Sequence, residues 1–361
     1  MTEKIPVVVL GGSGYVAGEV VRLLATHPGF ALAAVVSESR VGTSVAETLP
    51  HLAGTIDGLA FADFEALPAL FASATGDRRR FALVSAAPHG ASAALVARAI
   101  ALAEDASVAL SVVDLSADFR FADAADYQAV YGHPHSAPGL LARFVRALPE
   151  HSSWAPGESA SVCIAHPGCF TTAVLLAVVP LLARGLAKSR FAVTAITGST
   201  GSGRGLSEKT HHPARRSNIA AYAPLAHRHA PEMMTLAGEA AGVQPEIDFV
   251  PLSGPQARGI YATVHGRLAR QATAAEIVAE LTDFYVRSPF VAVADTAPAL
   301  TDVVGTNRAR VGVACAGQSI AVTVAIDNLV KGAAGGAVQW LNRMHGFAET
   351  TGLEAASLGW F

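Results

Sequence analysis

At 361 residues the chain is long enough for two domains. Hydrophobic residues make up 51% and charged residues 15%, so material for buried cores is ample. A net charge of −3 argues against a nucleic-acid partner, although local basic spots can still hold phosphate groups.

The first residues, Met1-Thr2-Glu3-Lys4, run straight into a short apolar stretch, Val7 to Leu10. It is too short for the apolar region of a secretory leader. The longest apolar stretch, Thr171 to Leu186, is interrupted by Pro180 and Arg184 and reads as a buried helix, so no membrane partner is expected. Cys163, Cys169 and Cys315 form no CxxC pair and no disulfide framework. A cytoplasmic, reducing setting is expected.

In chain order, Pro6 to Leu10 predicts a strand, followed by a glycine turn and a helix through Glu19 to Leu24. His27-Pro28-Gly29 is a turn signal before a second strand, Leu32 to Val36. Further strands are predicted at Phe81 to Ser85 and Val108 to Leu115, with a helix over Ala91 to Glu104 between them. This alternation predicts an α/β domain, an open, parallel, doubly wound sheet. A polar loop with Ser152, Ser153, Pro156, Gly157 and Glu158 marks a boundary. Beyond it, strands are expected at Phe191 to Ile196, Ile247 to Pro251, Ile260 to His265 and Ser319 to Ile326. Helices are expected at Pro231 to Ala241 and Ala274 to Tyr285. These predict an α+β domain with a largely antiparallel sheet. The expected division is 1–160, completed by a C-terminal helix within 333–361, and 161–332. Gly332 to Gly336 would make the crossing back.

Gly11, Gly14 and Ala17 occupy the positions of G-x-x-G-x-x-G/A between strand and helix. Small residues there let backbone N–H groups approach a pyrophosphate at the positive helix end, a Rossmann-type dinucleotide site. Gly11, Ser13, Gly14, Tyr15 and Val16 are its expected contacts. The second strand ends in Val36-Ser37-Glu38-Ser39-Arg40. Glu38 suits ribose hydroxyls, whereas Ser37 and Arg40 suit a 2′-phosphate, which favours NADPH/NADP+. Arg40 as a solvated loop charge is the alternative.

His166-Pro167-Gly168-Cys169-Phe170 precedes the apolar helical run and places Cys169 at a helix start. The helix dipole there favours a thiolate; an inert buried cysteine is the alternative. Cys163 and Cys315 sit in apolar strand contexts. A nucleophile needs a proton-transfer partner, and His227-Arg228-His229-Ala230-Pro231-Glu232 is the densest source. A metal site with His211 and His212 is the competing reading, but no metal-binding spacing is present. The glycine-serine loop Gly198 to Arg204 can present Ser199 and Arg204 to an anion, or be a linker. Arg120 can hold a carboxylate or phosphate, or pair with Asp118 or Asp123.

The ordered set of motifs, from Gly11-Gly12-Ser13-Gly14-Tyr15 through Asp114 to Arg120, His166 to Phe170, Gly198 to Arg204, His227 to Glu232 and Asp327-Asn328-Leu329-Val330-Lys331-Gly332, resembles N-acetyl-gamma-glutamyl-phosphate reductases. That family is related to aspartate-semialdehyde dehydrogenases. The resemblance implies NADPH-dependent reduction of an acyl phosphate to a semialdehyde in arginine biosynthesis, by a homo-oligomer (dimer or tetramer). It implies Cys169 as nucleophile, His227 as acid-base, Glu232 as orienting or substrate-binding partner, and nucleotide contacts at the glycine turn and Asn328. Arg120, Ser199, Arg204 and His229 become candidate substrate contacts; no metal is implied. Two departures are His166 and Phe170, where the family commonly has Asn and Tyr, and Ala17 at the third glycine.

The related aminoadipyl-phosphate reductase of lysine biosynthesis is the alternative substrate reading. A phosphorylating sugar-aldehyde dehydrogenase and a non-catalytic nucleotide sensor are the rival classes.

Overall fold

The computed structural model describes residues 4–74, 79–154 and 162–359. Pro156, Gly157 and Glu158 of the expected boundary loop lie outside them, as do Met1, Thr2 and Glu3. The chain divides into two compact units. One contains Met1–Arg146, Ser153–His166 and Ala334–Leu353; the other contains Ala147–Ser152, Pro167–Ala333 and Glu354–Phe361.

The first unit is built on a seven-stranded sheet. Its strands are β1 (Ile5–Leu10), β2 (Phe30–Val36), β3 (Phe61–Ala62), β4 (Arg80–Ser85), β5 (Ala109–Asp114), β6 (Phe144–Arg146) and β7 (Cys163–Ala165). Their order is β3-β2-β1-β4-β5-β7-β6, and every pairing is parallel. The chain leaves β1 toward one edge and returns as β4 on β1's other side. That reversal places a crevice at the carboxyl end of β1, where doubly wound sheets bind ligands. The helix Tyr15–Ala25 starts there, and the helix Gly335–Met344 packs on it and on β5. Valines 7 to 9 and Leu10 are fully buried, as a strand covered on both faces requires.

The second unit holds β8 (Arg190–Thr197), β9 (Ala220–Ala221), β10 (Glu246–Ser253), β11 (Ile260–Arg267), β12 (Val291–Ala294), β13 (Ala309–Ala316) and β14 (Ser319–Ile326). Their order is β12-β13-β14-β11-β8-β10-β9. The expected antiparallel pattern holds around β11 and β14, but β8–β10 and β12–β13 are parallel, so the sheet is mixed. A parallel pair demands a crossover connection. Between β8 and β10 this crossover is the whole stretch 198–245, including the helix His229–Ala241. It carries most of the candidate site.

The helix Cys169–Ala183 is buried on nearly all sides against β11, β14 and the helix His229–Ala241. A helix apolar all round belongs in a core. Pro180 lies inside it and has no N–H to give the carbonyl of Leu176, four residues earlier. The Tyr285 hydroxyl supplies the missing donor, at 2.8 Å. Having donated there, Tyr285 Oη accepts from His151 Nε2, 3.0 Å away. Burial lowers the His151 pKa to about 4, which keeps the ring neutral in this buried chain of donors. Among the described residues no helix is long and apolar enough to cross a membrane.

Removing the hydroxyl leaves the Leu176 carbonyl unsatisfied in the core. Tyr285→Phe is expected to cost about 1–3 kcal/mol in denaturant unfolding. Adding Pro180→Ala to that variant restores a backbone donor and recovers part of the loss.

Candidate functional site

In the first unit, β1 runs into Gly11, whose φ of +74° suits glycine. A Cβ there would stand 2.6 Å from the Ala86 carbonyl oxygen and Ala87 nitrogen after β4, and one on Gly12 would strike Val35. The turn therefore closes only with hydrogen at these positions. Gly14 occupies the N-cap of Tyr15–Ala25 and makes no side-chain cap. The first-turn N–H groups of that helix stay open to an anion. Ser37, at the end of β2, donates to Ser13 across the turn, 3.3 Å between hydroxyl oxygens. Arg40 is exposed just beyond. A bare helix start, hydroxyls and an exposed arginine form a donor set that fits the phosphates of a dinucleotide.

In the second unit, Cys169 is the first residue of its helix, half-buried, with Gly168 at the N-cap. Backbone N–H groups of a first turn favour an anion at this position. Two contacts fix the cysteine. Glu232, fully buried in the helix His229–Ala241, accepts the Gly168 N–H at 2.7 Å. Gly332 packs against the cysteine's other side, where an added Cβ would lie 2.7 Å from Cys169 Cβ. Asp327 sets Gly332 there. Its carboxylate accepts from the N–H groups of Leu329 and Val330 and from Arg258. Its carbonyl accepts from Gly332. The neighbouring Lys331 is fully buried in an ion pair with Glu150, at 2.5 Å.

Cys169 opens into a pocket of about 830 Å³ at the carboxyl ends of the parallel pair β8 and β10. Thr197, Gly201, Arg215, Tyr222, His227, Arg228, His229 and Ser253 line it. The Phe170 ring packs edge-on to His227 and His229, with centroids 5.8 and 6.0 Å away. Tyr222 flanks His227 from a third direction, at 5.5 Å. Burial, with the positive charge of Arg228, lowers the His227 pKa to about 4. At neutral pH this ring is uncharged and able to accept a proton. Burial raises the Tyr222 pKa well above the ordinary tyrosine value, reinforced by proximity to Cys169. The pocket thus joins a thiol at a helix start, a neutral imidazole and cationic side chains, a set suited to acyl transfer from an anionic substrate.

Residues 6–143 match the semialdehyde dehydrogenase NAD binding domain, and residues 169–328 match the semialdehyde dehydrogenase dimerisation domain. The chain is 38% identical to an N-acetyl-gamma-glutamyl-phosphate reductase of Pseudomonas putida strain W619, over 98% of this chain and 99% of the relative. It is 39% identical to one of Desulforudis audaxviator, over 97% and 98%. The chain belongs to the N-acetyl-gamma-glutamyl-phosphate reductase family. Aspartate semialdehyde dehydrogenase II of Vibrio cholerae, solved with ASA, shares the fold at a TM-score of 0.66 and 16% identity, covering 94% of this chain and 98% of that one. The enzyme of Candida albicans, solved with NADP, does so at 0.63 and 14%, covering 93% and 97%.

For this member of the reductase family, the structure brings Cys169, His227 and His229 to one pocket and ties Glu232 to the cysteine turn. Other expected residues make their contacts within the chain. Arg120 is 5% exposed in the first unit and donates to the carbonyls of Leu115 and His166. It therefore braces two loops of the first unit. Asn328 is 2% exposed; its amide accepts from Gly259 and donates to Thr200, holding the glycine-serine loop. Ser199 and Arg204 belong to that loop, but Gly201 and Ser202 supply the pocket wall. His166 packs its ring under Gly336, where a Cβ would fall 2.2 Å from it. Sequence reasoning missed Arg215 and Tyr222. The signal for Tyr222 was a lone aromatic close before the histidine cluster.

Gly332→Ala is expected to push the cysteine off its position. Alkylation of Cys169 by iodoacetamide should slow, and kcat should fall about 10- to 100-fold, while the thermal midpoint changes little by comparison.

Proposed function

We propose that the chain reduces N-acetyl-L-glutamyl 5-phosphate to N-acetyl-L-glutamate 5-semialdehyde and phosphate, with NADPH, in L-arginine biosynthesis. The pocket shared by Cys169 and a neutral His227 is the observation that carries this reading, and the names of the full-length relatives support it.

The Cys169 thiolate attacks the acyl carbon; the carbon–oxygen bond to phosphate breaks and phosphate leaves with that electron pair. The product is a thioester on Cys169. Backbone N–H groups at the helix start stand where they would stabilise the oxyanion of each tetrahedral stage. Gly11, Ser13, Gly14, Tyr15, Val16, Ser37 and Arg40 would hold a reduced nicotinamide dinucleotide, which would supply the hydride. Ser37 and the exposed Arg40 favour the 2′-phosphorylated cofactor. The thiohemiacetal hydroxyl proton passes to His227 as the carbon–sulfur bond breaks, releasing the aldehyde and regenerating the Cys169 thiolate. In the oxidative direction neutral His227 takes the thiohemiacetal hydroxyl proton; in reduction the same ring returns it. Glu232 acts through Gly168, holding the cysteine turn.

The open face of the second sheet presents Thr194, Ile196, Val250, Leu252 and Tyr261, none fully buried. It suits pairing with a second copy, in keeping with the matched dimerisation domain. A cytoplasmic setting goes with a reduced catalytic thiol.

The direct assay is NADP+ reduction with phosphate and N-acetylglutamate semialdehyde, set against its aminoadipate analogue. The acetylglutamate aldehyde should be preferred; the reverse preference moves the substrate to the lysine pathway. Cys169→Ala should lower turnover roughly 10,000-fold, and near-normal turnover contradicts the scheme. The pH profile provides a second check. His227 protonates near pH 4, below the ordinary histidine value of 6.5. Falling pH therefore removes the base only near 4, and the acidic limb of oxidative kcat/KM should lie well below 6.5. Arg228→Ala removes a positive neighbour, raises the His227 pKa, and should shift that limb upward.

A further inference from the structure

Arg215 stands in the pocket wall at 7% exposure. It spans the ends of the parallel pair, where Thr197 of β8 is in register with Ser253 of β10. One terminal nitrogen donates to the Thr197 carbonyl at 3.1 Å and the other to the Ser253 hydroxyl. Among the described residues Nε has no hydrogen-bond partner. No carboxylate of the described residues forms an ion pair with this guanidinium, and none contributes to its electrostatic surroundings, where Tyr222 is the titratable neighbour. Lys209 and Arg228 also line the pocket, which has no Asp or Glu in its lining.

A buried cation with no carboxylate beside it is costly unless an anion joins it. Capping two strand ends does not need a charge; a neutral amide would do. The guanidinium fork, by contrast, matches a pair of anionic oxygens. Tyr222 interacts electrostatically with both Arg215 and Cys169, which puts the cation and the nucleophile in one electrostatic neighbourhood.

We infer that Arg215 is the residue that binds the carboxylate at the amino-acid end of the substrate, and so selects acidic acyl chains over neutral ones. This rests on the reaction proposed above. The phosphate departs in the first half-reaction, whereas the carboxylate stays through the whole cycle. A deeply buried, fixed cation suits the group that stays.

The oxidative assay separates the two anions, because aldehyde and phosphate are then separate substrates. With N-acetylglutamate semialdehyde and its carboxylate-free counterpart, 4-acetamidobutanal, the unaltered enzyme should favour the former by at least ~100-fold in kcat/KM. Arg215→Ala should narrow that preference to roughly five-fold, with the rise in KM falling on the aldehyde. A rise confined to the KM for phosphate overturns the assignment, as does an unchanged preference.

A binding measurement independent of turnover is protection of Cys169 from iodoacetamide. Glutarate should protect the unaltered enzyme where neutral glutaramide does not, and Arg215→Ala should abolish the difference. Equal protection by both compounds in the unaltered enzyme overturns the inference even if the variant does not fold. If neither aldehyde is oxidised but glutarate still protects, the proposed reaction fails and the carboxylate site stands.

Discussion

The Gly168 N–H donates to Glu232 across 2.7 Å in the core of the second unit, and the pocket depends on that contact. It joins the N-terminus of the cysteine helix to the first turn of the helix that follows His227. Both helices pack on the same sheet, so neither end can shift alone. A bond from a buried side chain to a backbone N–H fixes position better than a contact between flexible side chains, and its loss would leave a buried polar group unsatisfied. Gly332 closes the cysteine in from the other side, held by an Asp327 whose two oxygens serve several backbone and side-chain donors.

The same unit buries much polarity to keep this helix in place. Lys331 and Glu150 are both fully buried, and Tyr285 replaces the donor that Pro180 lacks. A buried ion pair is a poor source of stability compared with apolar packing, but breaking it by removing one partner is expensive. Such arrangements hold one geometry strictly. In the first unit, Asp114 is buried with the hydroxyls of Ser92 and Ser116, and burial raises its pKa to about 6. Asp118 accepts from Gly90, Ala93 and Tyr127 nearby. There too, polar contacts shape the loops at the carboxyl ends of parallel strands.

Much of the frame was legible in the sequence because its signals are local. The valine run ending in Gly11 reads as strand and turn, and His229-Ala-Pro-Glu as a helix start. Strand β13 was legible only as an apolar strand context around Cys315, because Ala309-Arg-Val-Gly-Val-Ala-Cys-Ala is rich in small residues of low strand propensity. Its identity comes from its antiparallel pairing with β14, a non-local fact. The cysteine and histidines were legible by residue type and order. The arginines were not. Arg120 and Arg204 stood beside glycine- and aspartate-rich motifs, whereas Arg215 sits among ordinary polar residues, Ala214-Arg215-Arg216-Ser217. The burial and partners of Arg215 come from the crossover between β8 and β10, which no local stretch of sequence announces.

The central claim is that Cys169 carries the acyl group. Mixing the protein with N-acetylglutamyl phosphate in the absence of reduced nicotinamide, quenching in acid and mapping peptides by mass spectrometry tests it directly. An N-acetylglutamyl adduct on the Cys169 peptide, removed by hydroxylamine, is the expected result. Phosphate release with no adduct on Cys169, or an adduct on Cys163 or Cys315, would contradict the account.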